Sequence, residues 1–341
     1  MSRVSGRRVI ETVAGLAALA VSAFVYAAYR RDIRAARARI TSGSVVAETR
    51  GGLIEYAVAG DGPPVLLVHG AGGGYDQGLD LGEPLVARGL RVIAMSRFGY
   101  LRTPLPQDAS AAAQADAHAR LLDVLGIPRV AVISASAGAP SAIQFALRHP
   151  ERCGALVLLV PATYAPRPGG ASAVTPPMKA VPAWARYLFD LALRSNFIFW
   201  AAQRISRASM IRTILGTPPE VVEHASAVEQ ARVATVLEHI LPIEPRQPGL
   251  LNDAAVISSL DRFDLERIEV PTLAISTADC LYGTFEGARY TAEHVPGARF
   301  VGYATGGHLC VDHQDEVVST IVAFITAAIG GAAPPGVTGA P

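Results

Sequence analysis

Cysteine is scarce in this chain, which has only Cys153, Cys280 and Cys310 among 341 residues. Three irregularly spaced thiols cannot build a disulfide framework or a Cys-based zinc site, so a stapled secreted scaffold and a zinc ribbon are both excluded. HExxH, CxxC and EF-hand patterns are missing too, which makes a reaction without metal or cofactor the default. Charge is also thin. Acidic and basic residues make up 17% of the chain and the formal net charge is +1, so there is no overall electrostatic footprint for nucleic acid or an acidic partner. What the chain does have is apolar material: half its residues are hydrophobic, enough for one large α/β core with insertions or for two smaller domains.

The charge is unevenly spread. Residues 1–44 carry eight Arg against Glu11 and Asp32, leaving 22 basic and 27 acidic residues for the rest. Between the basic flanks, Thr12 to Tyr29 (TVAGLAALAVSAFVYAAY) is uncharged and about long enough to cross a bilayer core as a helix. Arg3, Arg7 and Arg8 precede this run, and Arg30, Arg31, Arg34, Arg37 and Arg39 follow it. The heavier C-terminal flank favours a single-pass anchor with the catalytic domain in the cytoplasm. A cleaved export signal is the alternative, since Ala18-Leu19-Ala20 has the small-x-small form of a cleavage site. The anchor and a short helical linker, Arg34 to Ser44, then occupy 1–44, and the folded domain begins near Val45.

Beyond the linker, Val45 to Ala59 reads as two strands around Gly51-Gly52. Short apolar runs follow at Val65–Val68, Val92–Met95, Ala131–Ile133, Ala155–Val160, Thr272–Ser276 and Phe300–Tyr303. Helix-length segments separate the earlier ones, Gly82–Arg88, Ala111–Leu125 and Ala139–Arg148, as in a mostly parallel α/β sheet flanked by helices. About a hundred residues without strand signals intervene before Thr272. They contain a Pro/Gly/Ser-rich tether at 166–177 and helical patterns over Trp184–Ala202, Ala208–Leu215 and Pro219–Ile240. This predicts core over 45–161, a helical lid inserted over 162–262, core again over 263–329 and a disordered tail over 330–341. Aromatic lid residues Trp184, Tyr187, Phe189, Phe197, Phe199 and Trp200 read as core packing or as an apolar substrate surface.

Three segments carry chemistry. Ser134-Ala135-Ser136-Ala137-Gly138 lies between a strand and a helix, where a sharp turn exposes a nucleophilic serine, and Ser134 replaces the usual first Gly. His69-Gly70-Ala71-Gly72-Gly73-Gly74 ends an earlier strand and offers backbone N–H groups. With Ala71 and Ala137 as donors it predicts an oxyanion hole. A dinucleotide loop is disfavoured because Tyr75 stands where GxGxxG needs a small residue. Gly306-Gly307-His308 follows the last strand and places a general base after the serine in chain order. Phe98 and Tyr100, at the end of another strand, are placed to bind substrate, with a structural turn as the competing reading.

Together LLVHGAGGG, SASAG, VPTLAISTADC and TGGHL resemble the α/β-hydrolase-fold superfamily with a helical cap, over about Leu53 to Ile329. The resemblance implies a Ser–His–acid triad of Ser136, His308 and a carboxylate on the loop after the PTL strand, and hydrolysis without a cofactor. Here the chain departs from the pattern, since Cys280 occupies the acid's usual position and Asp279 precedes it. Asp279 is the expected acid, reached by a shift of the loop. A redox-sensitive Cys280–Cys310 disulfide is a weaker expectation. The function expected is cleavage of an ester or lactone of an apolar small molecule, with the membrane as the only other partner. Carbon–carbon bond hydrolysis on the same constellation, or a membrane-tethered scaffold that has lost catalysis, are the alternatives.

Overall fold

The computed structural model describes residues 2–166, 191 and 193–330. The expected tether from 167 onward, the lid aromatics Trp184, Tyr187 and Phe189, and the tail over 331–341 lie outside the described residues. Eight strands form one sheet in the order β1 (Val45–Thr49), β2 (Gly52–Ala59), β4 (Arg91–Met95), β3 (Pro64–Val68), β5 (Val130–Ala135), β6 (Cys153–Leu159), β7 (Thr272–Thr277) and β8 (Arg299–Tyr303). The first two pairings are antiparallel and the others parallel.

The central strands are continuously apolar because helices cover both faces of the sheet. Side chains alternate between those faces. Leu66, Val68, Val132, Leu156 and Leu158 join one buried cluster, and Val65, Leu67, Ala131, Ile133, Ala155 and Val157 the other. The first cluster takes in α3 (Ala111–Val124), α4 (Ala139–Arg148) and α10 (Thr284–His294). The second takes in α2 (Tyr75–Val86) and α11 (Gln314–Gly330). The parallel strands β3, β5, β7 and β8 all end on the same edge, so the loops after them converge there, where α/β proteins place their sites.

The insertion between β6 and β7 is helical among the described residues. It comprises α5 (Asn196–Ile205), α6 (Arg207–Ile214), α7 (Pro219–His224), α8 (Ala227–His239) and α9 (Gln247–Ser258). The single helix expected over Pro219–Ile240 breaks at Ser226, whose hydroxyl accepts from Glu229 N–H and caps α8. These helices share a third core, which includes Phe199, Trp200, Val233, Leu237 and Ile240.

A difference from expectation concerns the N-terminus. The anchor and the linker form one helix, α1 (Ser2–Ser42), and its last turns belong to the folded body. Ile33 and Ala36 are buried against the lid core, and Ile40 is buried on the same face of the helix. Tyr29 meets Phe197 and Trp200 edge-on, and Asp32 accepts from the Trp200 indole N–H at 2.9 Å. Toward the start of the helix the burial ends: Val13, Leu16, Leu19 and Phe24 are all exposed. Among the described residues this is the one helix long and apolar enough to cross a membrane.

Candidate active site

Ser136 stands at the junction of β5 and α4 with φ at +50°, a conformation that β-carbon sterics disfavour. Close packing maintains this turn. A β-carbon on Gly138 would lie 2.7 Å from Val68 O and 2.8 Å from His69 O, so only glycine lets the turn sit against the end of β3. Gly70 passes beside the serine in the same way, with its notional β-carbon 3.2 Å from Ser136 Cβ. The hydroxyl is thus presented at the sheet edge next to the glycine-rich loop. Ser134, two residues earlier, is fully buried, and its hydroxyl has no hydrogen-bond partner among the described residues.

The loop after β3 is heavily constrained. Gly70 N–H donates to Gln77 Oε1 at 3.1 Å, Gly72 N–H to Tyr100 Oη at 3.3 Å, and Gly73 N–H to Gly70 O at 3.4 Å. By contrast, Ala71 N–H has no partner among the described residues and its side chain is exposed. Ala137 lies in the first turn after β5, where helix geometry leaves N–H groups without an i−4 carbonyl. The two expected donors therefore sit on the segments that flank Ser136.

Two buried arginines hold the carbonyls of the loop. Arg97 donates to His69 O at 2.9 Å and Gly70 O at 3.2 Å, and clasps Asp253 of α9 with two bonds of 2.6 and 2.7 Å. Arg246 donates to Gly73 O at 2.7 Å and clasps Asp76 at 3.0 and 2.6 Å. Bidentate guanidinium–carboxylate pairs of this kind fix geometry as well as charge. Tyr100 Oη donates to Asp253 at 2.5 Å while accepting from Gly72, and burial together with the Asp253 charge pushes its phenol well above the ordinary range. Tyr100 is fully buried and braces the loop, and Phe98 packs in the core beneath the sheet. Neither takes the substrate-lining position expected of it. Ile240 and Leu250 instead pass over the loop at Gly72.

On the loop after β8, His308 is half-buried, and its main-chain N–H donates to Gly216 O in the lid at 3.3 Å. The Tyr282 ring meets the imidazole edge-on at 4.9 Å between centroids. The expected contact between Asp279 and this ring is not made. Both Asp279 oxygens are taken by main-chain donors, Oδ2 by Gly306 N–H at 3.1 Å and Oδ1 by Gly307 N–H at 2.8 Å. Asp279 therefore holds the backbone of the histidine loop. The group on the imidazole is the next residue, Cys280, with Sγ 3.2 Å from His308 Nδ1. Successive side chains leave the loop in different directions, so only one of the pair can face the ring.

Cys280 Sγ also accepts from the Thr284 hydroxyl at 3.1 Å, and that hydroxyl is 3.0 Å from Ser276 Oγ. Burial works to raise the thiol. The charge and hydrogen bond of His308, with the hydroxyl and main-chain N–H of Thr284, outweigh it and bring Cys280 down to about 7. The other thiols behave in the opposite sense: burial pushes Cys153 and Cys310 up to about 12. All three cysteines are free, including the expected Cys280–Cys310 pair. The signal for Cys280 was already in the sequence, at the offset where a carboxylate ordinarily stands. Arg246, Asp76 and Asp253 had no such signal. A cavity of about 550 Å³ lined by Gln144, Arg148, Phe263 and Arg267 lies at the far end of α4 from Ser136 and includes none of these groups.

Comparison with known proteins agrees with this fold. The family model described as alpha/beta hydrolase fold matches residues 63–208. YcgS, an uncharacterized hydrolase of Bacillus subtilis, is 28% identical over 268 residues, 76% of this chain and 89% of its own length. A 2-hydroxy-6-oxononadienedioate/2-hydroxy-6-oxononatrienedioate hydrolase of Paraburkholderia xenovorans is 39% identical over 115 residues, which span 31% of this chain and 39% of that enzyme. Among solved structures, an alpha/beta hydrolase fold protein from Nakamurella multipartita superposes with a TM-score of 0.66 at 26% identity, over 84% of this chain and 99% of its own.

Proposed function

The chain belongs to the α/β-hydrolase-fold superfamily, and from that premise we propose that it is a membrane-anchored serine hydrolase cleaving an ester or lactone of an apolar small molecule. The observation that carries this reading is Ser136 at φ +50° on the β5–α4 turn, packed directly against the glycine-rich loop. With Nδ1 of His308 engaged by Cys280, Nε2 is the nitrogen left to take the serine proton as Oγ attacks a carbonyl. Ala71 and Ala137 N–H groups receive the oxyanion, each donor of this type contributing about 3 kcal/mol in the transition state. The imidazolium then protonates the leaving group, and water cleaves the acyl-enzyme.

An apolar substrate is supported by Ile240 and Leu250 over the loop and by Tyr282 against the histidine. Membrane anchoring is supported by the apolar side chains of α1 over Val13 to Phe24, which are exposed among the described residues. The basic residues after it favour a cytoplasmic catalytic domain. Hydrolysis of p-nitrophenyl esters of graded chain length by the full chain in detergent, beside Ser136→Ala, tests the reading. Activity that disappears in the variant supports it. Absence of both ester turnover and fluorophosphonate labelling of Ser136 would overturn it and leave a scaffold role.

A second reading is favoured by one comparison. The match to the Paraburkholderia enzyme, confined to 39% of that enzyme's length, supports carbon–carbon bond hydrolysis on the same constellation. Turnover of a 2-hydroxy-6-oxo dienoate without turnover of esters would select it.

A further inference from the structure

We propose that Cys280 is the positioning residue for His308, a thiolate standing where a carboxylate ordinarily stands, so that the site works as a serine–histidine–thiolate array. This rests on the serine-hydrolase reading of Ser136 and His308. Three observations carry it. Sγ is 3.2 Å from Nδ1, Asp279 is fully engaged with Gly306 and Gly307, and the Thr284 hydroxyl points its proton at the sulfur from the first residue of α10. A helix N-terminus and a hydroxyl donor are the surroundings that favour a thiolate.

The protons account for why the ionised form is the working one. A thiolate accepts Nδ1–H, which leaves the Nε2 lone pair free for the serine proton, and its negative charge offsets the imidazolium that forms. A neutral thiol donating S–H to Nδ1 would place the ring proton on Nε2, the tautomer that cannot accept from serine. In a protease triad, imposing the wrong tautomer in this way slows turnover about ten-thousand-fold. The titratable groups around Sγ are His308, Tyr282 and Asp279 on the adjoining loops, and Cys310 beyond the histidine. Burial pushes the Tyr282 phenol and the Cys310 thiol upward, so both stay neutral, and Asp279 spends its charge on main-chain N–H groups. The site therefore needs Cys280 ionised, and a reagent or oxidant that consumes the thiolate turns it off.

The experiment compares the full-length wild type, Cys280→Asp, Cys280→Ser and Cys280→Ala in detergent. It measures kcat/KM against pH, fluorophosphonate labelling of Ser136, and thiolate absorbance referenced to Cys280→Ser. We expect wild-type activity only where the thiolate is present and the imidazole is neutral, so its rise with pH should never precede the rise of the thiolate signal near 7. Cys280→Ser, which keeps a hydroxyl of similar shape that does not ionise, should lose on the order of a thousand-fold in kcat while staying folded, with a melting temperature near that of wild type below about pH 7. Cys280→Asp should restore activity to within about tenfold and extend it to lower pH. Full activity in Cys280→Ser, or full wild-type activity at a pH where Cys280 is still protonated, would overturn the proposal. A wild type that neither labels nor turns over would overturn the serine-hydrolase reading beneath it, which is a distinguishable result.

Discussion

Arg39, in the last turn of the N-terminal helix, donates its Nε to Asp76 at 3.3 Å, in the first turn of the helix that follows the glycine-rich loop. The same guanidinium reaches His239 O and Leu241 O in the lid, and Tyr75 Oη donates back to Arg39 O at 2.8 Å. The helix that carries the long apolar segment is thereby joined to the glycine-rich loop that carries one of the proposed oxyanion donors. Deleting residues 1–44 as a dispensable anchor should destabilise the remainder, because it strips Ile33 and Ala36 from the lid core.

Arg39→Ala isolates the polar part of that junction. Asp76 keeps its bidentate bond to Arg246, so the loss is limited to charge-assisted hydrogen bonds at a partly exposed site, about 1–2 kcal/mol. The expected outcome is a melting temperature lower by several degrees in detergent, with kcat reduced more than KM is raised. An unchanged melting curve and unchanged kcat would show that the junction is passive.

Asp279→Asn distinguishes the two neighbours on the acid loop. If Asp279 serves only the main-chain N–H groups of Gly306 and Gly307, the amide still offers one acceptor, and kcat should fall by less than about tenfold with the acid limb of the pH profile unmoved. A triad acid would instead cost about ten-thousand-fold. Steady-state kinetics over pH separates the two outcomes.

Stability should depend on pH through Cys280. Its thiol is near 7 in the folded protein against an ordinary 9.0, so between those values the folded form is ionised while the unfolded form is protonated. The contribution, roughly 3 kcal/mol, is then complete above about pH 9 and is lost as pH falls through about 7. Melting temperature of wild type minus that of Cys280→Ser, followed across this window, should rise with pH. A flat difference would contradict the assigned ionisation.

How much of this could be read from the sequence depended on whether the cause was local. Runs such as Val65–Val68 announce buried strands, and the residue types at Ser136, Gly138 and His308 announce the turn and the proposed base, because each signal lies within a few residues. Helix α9 did not register. It opens Gln247-Pro248-Gly249, which reads as a breaker, and Gly249 is there because the Tyr100 ring would lie 2.2 Å from a β-carbon. The Arg97–Asp253 and Arg246–Asp76 clasps join residues 156 and 170 positions apart, and no periodicity records such pairs. Asp279 was the reasonable acid by chemistry and Cys280 by position. Side-chain direction on the loop decides between them, and that is a tertiary property.

Removing one end of such a clasp should be costly. Asp253→Ala would leave the fully enclosed Arg97 guanidinium without its counter-charge and deprive Tyr100 Oη of its acceptor. Breaking a buried pair by removing one partner typically costs 3–5 kcal/mol, here on the order of a 10 °C fall in melting temperature. Because Arg97 also holds His69 O and Gly70 O, the fall should be accompanied by loss of kcat. The double variant Arg97→Met with Asp253→Leu should recover much of the stability and little of the activity. That recovery would show that the charges position the oxyanion loop and are not needed to hold the fold, whereas equal recovery of both would mean the loop needs only to be filled.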